Sequence, residues 1–254
     1  MKRWQITNIV ALIVTLTVNG LANYLPLNGQ TSGEVSDSIP VLFTPAGYVF
    51  SIWGLIYLGL VAFAWYQALP AQRETDLLAR IGPWFAVSCA LNAIWLFLWH
   101  WELFPLTEVA MAGLLVSLVV IYLRLGIGRR EVPAREKWLV HAPFSIYLGW
   151  ISVATIANTS ILLYTFGWGG WGIPEQVWTI LVIIVATGLG MAMTLLREEI
   201  AYPLVIVWAA IGILVARQDM PAIAVTAGIC AATVLIVLVV SRMVGCRRMA
   251  SAKA

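Results

Sequence analysis

The sequence predicts an all-α integral membrane protein of about eight transmembrane helices with both termini inside. Composition is the first observation. Of 254 residues, 61% are hydrophobic and 11% charged, with a mean hydropathy of +0.91, too little charge to cover a soluble domain. The second is run length: the apolar segments approach the ~20 residues that a helix needs to cross hydrocarbon. Barrel strands would instead show ~10-residue alternating segments. The third is charge placement. With the N-terminus inside, fourteen of the fifteen Lys and Arg residues fall inside and only Arg217 outside, the bias expected at the cytoplasmic face.

The first apolar run covers residues 5–26. Lys2-Arg3, the run Ile9 to Val18 and Gly20-Leu21-Ala22 also fit a signal peptide. Continuation of the apolar stretch to Leu27 favours a retained span. An acidic, Gly/Ser-containing outer loop, Asn28 to Pro45, leads into the second run, 46–68, which opens within FTPAGYVFSIWGLIY. The third and fourth runs are 83–101 and 105–125. A basic inner loop, Arg124 to Lys137, suits anionic headgroups and precedes the fifth run, 138–165. The Gly-rich turn GWGGWGIP at 167–174 marks a boundary, so a five-helix region, 1–165, and a three-helix region, 166–254, are expected. The latter holds the runs 175–196, 199–216 and 220–243 and a basic tail. Its pairs Gly188/Ala192, Gly212/Ala216 and Gly228/Ala232 have the small-xxx-small spacing that lets helix backbones approach.

Ionisable groups are scarce in the runs: Glu108 lies one turn into the fourth, and Glu198-Glu199 stand at a helix boundary. Ion-coupled carriers place such groups mid-bilayer, so the pattern argues against an ion-coupled carrier and a charged substrate. The basic residues sit at helix ends, so the net charge of +3 implies no nucleic-acid partner. No nucleophile–base arrangement, phosphate loop or carboxylate pair invites an enzymatic reading. Cys89, Cys230 and Cys246 lack metal spacing, although Cys246 beside Arg247 could accept an acyl chain. His100 and His141 stand at opposite ends of the bundle and cannot share a metal.

The buried polar groups are instead neutral: Asn19, Asn23, Asn92, Thr155 and Asn158. Helical spacing puts Phe50, Trp53 and Tyr57 on one face, Asn92, Trp95 and Trp99 on another, and Tyr147, Trp150, Ala154 and Asn158 on a third. Such stripes suit two structures equally. One is an aromatic core with amides as interhelical glue; the other is a site for a flat apolar ligand with few polar edges.

The stretch Phe43 to Tyr57, the element Leu91-Asn92-Ala93-Ile94-Trp95, and Tyr147-Leu148-Gly149-Trp150 followed by Ile151 to Asn158 stand on successive helices in one order. Together they resemble the signatures of the TspO/MBR family, the tryptophan-rich sensory and translocator proteins. The resemblance covers about residues 1–165, which hold nine of the thirteen tryptophans. It implies a five-helix bundle, commonly dimeric, binding porphyrins or sterol-like planar molecules. By position, Trp53, Tyr57, Asn92, Trp95, Trp150, Ala154 and Asn158 would line the binding cavity, and Pro45 and Gly47 would shape its entrance. The chain departs from the family in its first loop, which has neither Trp nor Lys between Asn28 and Ser38. It also has Ala46 where a second proline is usual, one residue fewer between Phe50 and Trp53, and three added helices.

The expected function is a membrane-embedded receptor or sensor for a flat hydrophobic ligand, tetrapyrrole- or sterol-like, which it could also translocate. A tetrapyrrole would be a ligand rather than a cofactor, and no metal is expected. A small permease for an uncharged solute is the alternative. The expected partners are this ligand, membrane lipid and a second copy of the chain, in a bacterial-type cytoplasmic membrane.

Overall fold

A computed structural model describes residues 2–25 and 27–251. Among the described residues eight long helices carry the fold: α1 (Lys2–Tyr24), α2 (Ile52–Ala68), α3 (Trp84–His100), α4 (Phe104–Leu125), α5 (Ala142–Thr165), α6 (Glu175–Arg197), α7 (Ala201–Ala216) and α8 (Pro221–Ser251). No strand occurs among the described residues. Six helical stretches there are long and apolar enough to cross a membrane. α3 and α7, with 17 and 16 residues, are shorter; at 1.5 Å per residue they reach roughly 25 Å, under the ~30 Å hydrocarbon core. Local chemistry sets their bounds. Pro83 precedes α3, and Glu102, with φ of 55°, turns the chain just after it. Glu198, with φ of 51°, does the same before α7.

The chain divides into two compact units: Met1–Val41 with Phe50–Trp168, and Leu42–Val49 with Gly169–Ala254. In the first, a short helix, Ser32–Asp37, follows a capping box in which the Thr31 hydroxyl accepts from the Glu34 amide and Glu34 accepts from the Thr31 amide. Three fully buried rings, Phe63 of α2, Phe85 of α3 and Phe144 of α5, meet edge to face at 5.0, 5.0 and 5.9 Å. Beside them α5 contains Pro143, which has no N–H for the preceding turn. The helix widens into a π turn, Lys137–His141, where the Ala142 amide reaches the Lys137 carbonyl. Gly59 of α2 admits the proline ring: a Cβ there would lie 3.0 Å from Pro143 Cβ.

The second unit packs α6, α7 and α8 around Val207, Ala210, Ala231 and Val234, with Met191 against them. Onto it folds the segment Leu42–Val49. The Ala46 amide donates to the Gly212 carbonyl (3.1 Å), Trp208 Nε1 to the Val49 carbonyl (3.1 Å), and Arg217 Nε to the Leu42 carbonyl (2.9 Å). The Leu42 amide donates to Glu175 Oε1 at 3.0 Å, and Tyr48 meets Trp208 edge-on at 5.3 Å. The expectation that the three small-residue pairs serve helix–helix approach fits them unequally. A Cβ on Gly212 would collide with Val49 Cγ2 and fall 3.0 Å from Pro45 Cβ, so this glycine makes room for the segment. One on Gly228 would meet Leu214 at 2.8 Å, and one on Gly188 would meet nothing within 4 Å.

Gly212→Ala should therefore destabilise the protein by about 1–3 kcal/mol, the usual cost of overpacking. Gly188→Ala should be neutral or slightly stabilising, since Ala is the better helix former. Thermal unfolding in detergent separates the two; equal melting temperatures would contradict the docking of the segment.

Candidate functional site

The first unit collects its polar and aromatic stripes into two connected sets. In apolar surroundings each amide must find partners or cost several kcal/mol, and the first set shows how these do. Asn19 Nδ2 of α1 donates to the Thr15 carbonyl (2.9 Å) and to Asn92 Oδ1 of α3 (2.8 Å). A carbonyl can only accept, so the Asn19 amide orientation follows and its Oδ1 is left to accept from the Tyr57 hydroxyl of α2 at 2.6 Å. Asn92 in turn pairs with the Tyr147 hydroxyl of α5. One chain of bonds thus ties four helices. The side chain of Asn23 lies outside the described residues, as does that of Cys246.

Rings stand on this polar floor. Trp53 stacks on Tyr57 at 5.4 Å and meets Tyr147 and Trp150 edge-on at 6.0 and 6.2 Å. Phe50 meets Trp150 at 5.8 Å, so it joins the same cluster. Trp53 and Tyr57 are half-buried, whereas Trp150 is 2% exposed and its Nε1 has no hydrogen-bond partner.

The second set lies two turns along α5. Trp95 Nε1 donates to Asn158 Oδ1 at 3.1 Å, and Trp95 stacks on Trp99 at 5.2 Å. An indole N–H only donates, so Asn158 must turn its Nδ2 away, and it donates to Glu108 Oε2 of α4 at 2.6 Å. The Thr159 hydroxyl donates to Glu108 Oε1 at 2.8 Å. Ala154, half-buried, stands on α5 midway between Trp150 and Asn158.

The structure therefore groups Trp53, Tyr57, Asn92 and Trp150 in one set and Trp95 and Asn158 in the other. Pro45 and Gly47 fall in neither: they belong to the segment held by the second unit. Sequence reading omitted Asn19, Tyr147, Glu108 and Thr159 from the candidate site. The signal for Glu108 was visible, a carboxylate one turn into an apolar span, but its partners on α5 were not. His100 is buried, its Nδ1–H bonded to the Leu96 carbonyl at 2.7 Å. The end of α3 also holds the first loop: Trp99 Nε1 donates to the Ser32 carbonyl at 3.1 Å, and Asn28 Nδ2 to the His100 carbonyl at 2.9 Å. Among the described residues no group of three His, Cys, Asp or Glu could hold a metal.

Removing Asn19 strips partners from both Tyr57 and Asn92. Asn19→Ala should lower stability by about 0.6–2 kcal/mol, and Asn19→Ala with Asn92→Ala should cost less than the sum of the two single changes. Unfolding of the three variants in the same detergent measures the coupling; strict additivity would mean that the two amides do not act as one bond.

No curated protein and no solved structure matches the chain. A family model described as TSPO-like protein matches residues 5–240, through nearly all of the added helices as well as the first five. Six long apolar helical stretches and this match make the protein an integral, multi-pass membrane protein. With a match over most of its length, the chain belongs to the TSPO-like protein family.

Proposed function

We propose that the chain is a non-enzymatic membrane receptor that binds a flat hydrophobic molecule against Trp53, Tyr57, Asn92, Trp95, Trp150, Ala154 and Asn158. The proposal includes eight spans, with α3 and α7 as the short ones, and both termini on the cytoplasmic side.

The observation that carries this reading is the Trp150 indole. A buried donor with no partner costs about 1–3 kcal/mol, and here its ring meets Phe50 and Trp53 edge-on. A ligand that stacks on the half-buried Trp53 and Tyr57 and offers an acceptor to Trp150 Nε1 would relieve that cost while it buries its own apolar faces. The neighbouring network of Asn19, Tyr57 and Asn92 is already satisfied within the protein, so a ligand need not complete it. Membership of the family supports a binding role over a catalytic one.

Tryptophan fluorescence titration of purified protein with a porphyrin, a sterol and a quinone tests this. At least one should quench or shift the emission saturably. Asn92→Ala and Trp150→Ala should weaken that ligand by about tenfold or more, and Trp150→Phe, which keeps a ring but loses the N–H, by a smaller factor. Trp178→Ala in the second unit should leave affinity within about twofold. No response to any of the three from folded protein, or equal losses in all variants, would overturn the assignment.

A further inference from the structure

Where α4 ends and α3 begins, three arginines from three segments of the first unit meet around one carboxylate. Asp76 precedes the short helix Leu77–Ile81, which carries Arg80. Arg80 Nε donates to Asp76 Oδ2 at 2.8 Å, and its Nη2 bonds to the same oxygen. Arg130, in the turn after α4, brings Nη1 to 3.9 Å from the other oxygen, Oδ1. Arg124, in the last turn of α4, lies against Gly82: a Cβ there would stand 3.7 Å from Arg124 Nη1. Gly82 also turns the chain with φ of 54°, a conformation in which other residues are strained.

The charges around this point do not cancel. Asp76 serves two guanidinium groups, and Glu136, which faces Arg80, is the second carboxylate beside them. Three arginines against two carboxylates leave a formal charge of +1. Arg124 forms no ion pair among the described residues. Arg124 and Arg130 are exposed and Arg80 is half-buried, so all three can be reached. The wider surroundings have the same sign: residues 69–82 and 124–137 hold seven basic and four acidic side chains, a formal charge of +3.

Depth and neighbours say what reaches them. Arg124 is the last residue but one of a 22-residue apolar helix, which sets its guanidinium at headgroup level. On the same helix Val116, Val119 and Leu123 are exposed at i, i+3 and i+7, an apolar stripe that stops one residue before Arg124.

We infer that Arg80, Arg124 and Arg130 form a discrete site for one anionic phospholipid, whose phosphate they hold and whose acyl chain runs along Val116, Val119 and Leu123. Guanidinium groups suit phosphate oxygens because their paired N–H donors match them two by two. The phosphodiester of a headgroup such as phosphatidylglycerol carries one negative charge, which the cluster's +1 neutralises; a zwitterionic headgroup brings its own cation and leaves that charge unanswered. Asp76 acts as a positioning residue, holding Arg80 and Arg130 toward each other. Such a site differs from the general pull of a basic loop, to which every Lys and Arg near the surface contributes alike. It is independent of the aromatic ligand site.

The full chain in a nonionic detergent is unfolded by heat with phosphatidylglycerol or phosphatidylcholine of the same acyl chains, at equal mole fraction. Phosphatidylglycerol should raise the melting temperature by about 5 °C or more above phosphatidylcholine. Arg124→Gln should remove more than half of that difference, and Arg130→Gln should reduce it as well. Arg129→Gln, the same loss of charge outside the cluster, should leave it within about 1 °C. Comparing the two lipids within each variant cancels any change in the variant's own stability. Equal melting temperatures of the wild-type protein in the two lipids overturn the inference. So do equal losses in Arg124→Gln and Arg129→Gln, the mark of diffuse attraction. The same rise from inorganic phosphate without the lipid also overturns it, since a free anion would then be the occupant.

Discussion

The bond from Asn19 Nδ2 to Asn92 Oδ1 is the interaction on which the first unit's arrangement depends. A primary amide inside a hydrophobic bundle can be tolerated only if both of its ends are answered. Asn19 is answered by Thr15 within its own helix, by Asn92 on α3 and by Tyr57 on α2, and Asn92 passes the chain to Tyr147 on α5. Apolar contacts would let these helices slide or rotate at modest cost, because lipid and leucine are equally greasy neighbours. Directional bonds set the rotation. They turn Tyr57 and Tyr147 toward the same place, and Trp53 is then held between them and Trp150.

The phenyl triad and the π turn handle a different problem. Pro143 interrupts the hydrogen-bond ladder near the start of α5, and the widened turn before it absorbs the fault within the helix. Gly59 supplies the space for the ring on the facing helix. Trp150, Ala154 and Asn158 therefore stand on a helix whose irregular turn lies before them, on regular backbone from Ala142 to Thr165.

Legibility in the sequence followed the range of the physics. The long helices were visible because hydropathy and length act residue by residue, and α3 and α7 differ from the apolar runs 83–101 and 199–216 only at their ends. There Glu102 and Glu198 take left-handed conformations that no period announces. The aromatic stripes were visible because a helix repeats every 3.6 residues. Partner choice was not: periodicity shows that Asn158 shares a face with Trp150, but not that Glu108 from another helix meets it. The segment Leu42–Val49 was read as the approach to a span and an entrance. Its attachment to Gly212, Trp208 and Arg217 involves residues far along the chain, beyond any local pattern. Gly212 itself suits helix packing and loop docking equally on spacing alone.

That attachment bears on how the protein is made. The Leu42 amide and carbonyl and the Val49 carbonyl take partners 133, 175 and 159 residues downstream. During synthesis the segment leaves the ribosome long before Glu175, Trp208 and Arg217 exist, so its backbone groups remain without these partners while α2 to α5 are being made. Contacts of such separation form late. The backbone groups of Leu42–Val49 are thus answered only when the last helices are made, and Arg217 supplies the latest of these partners.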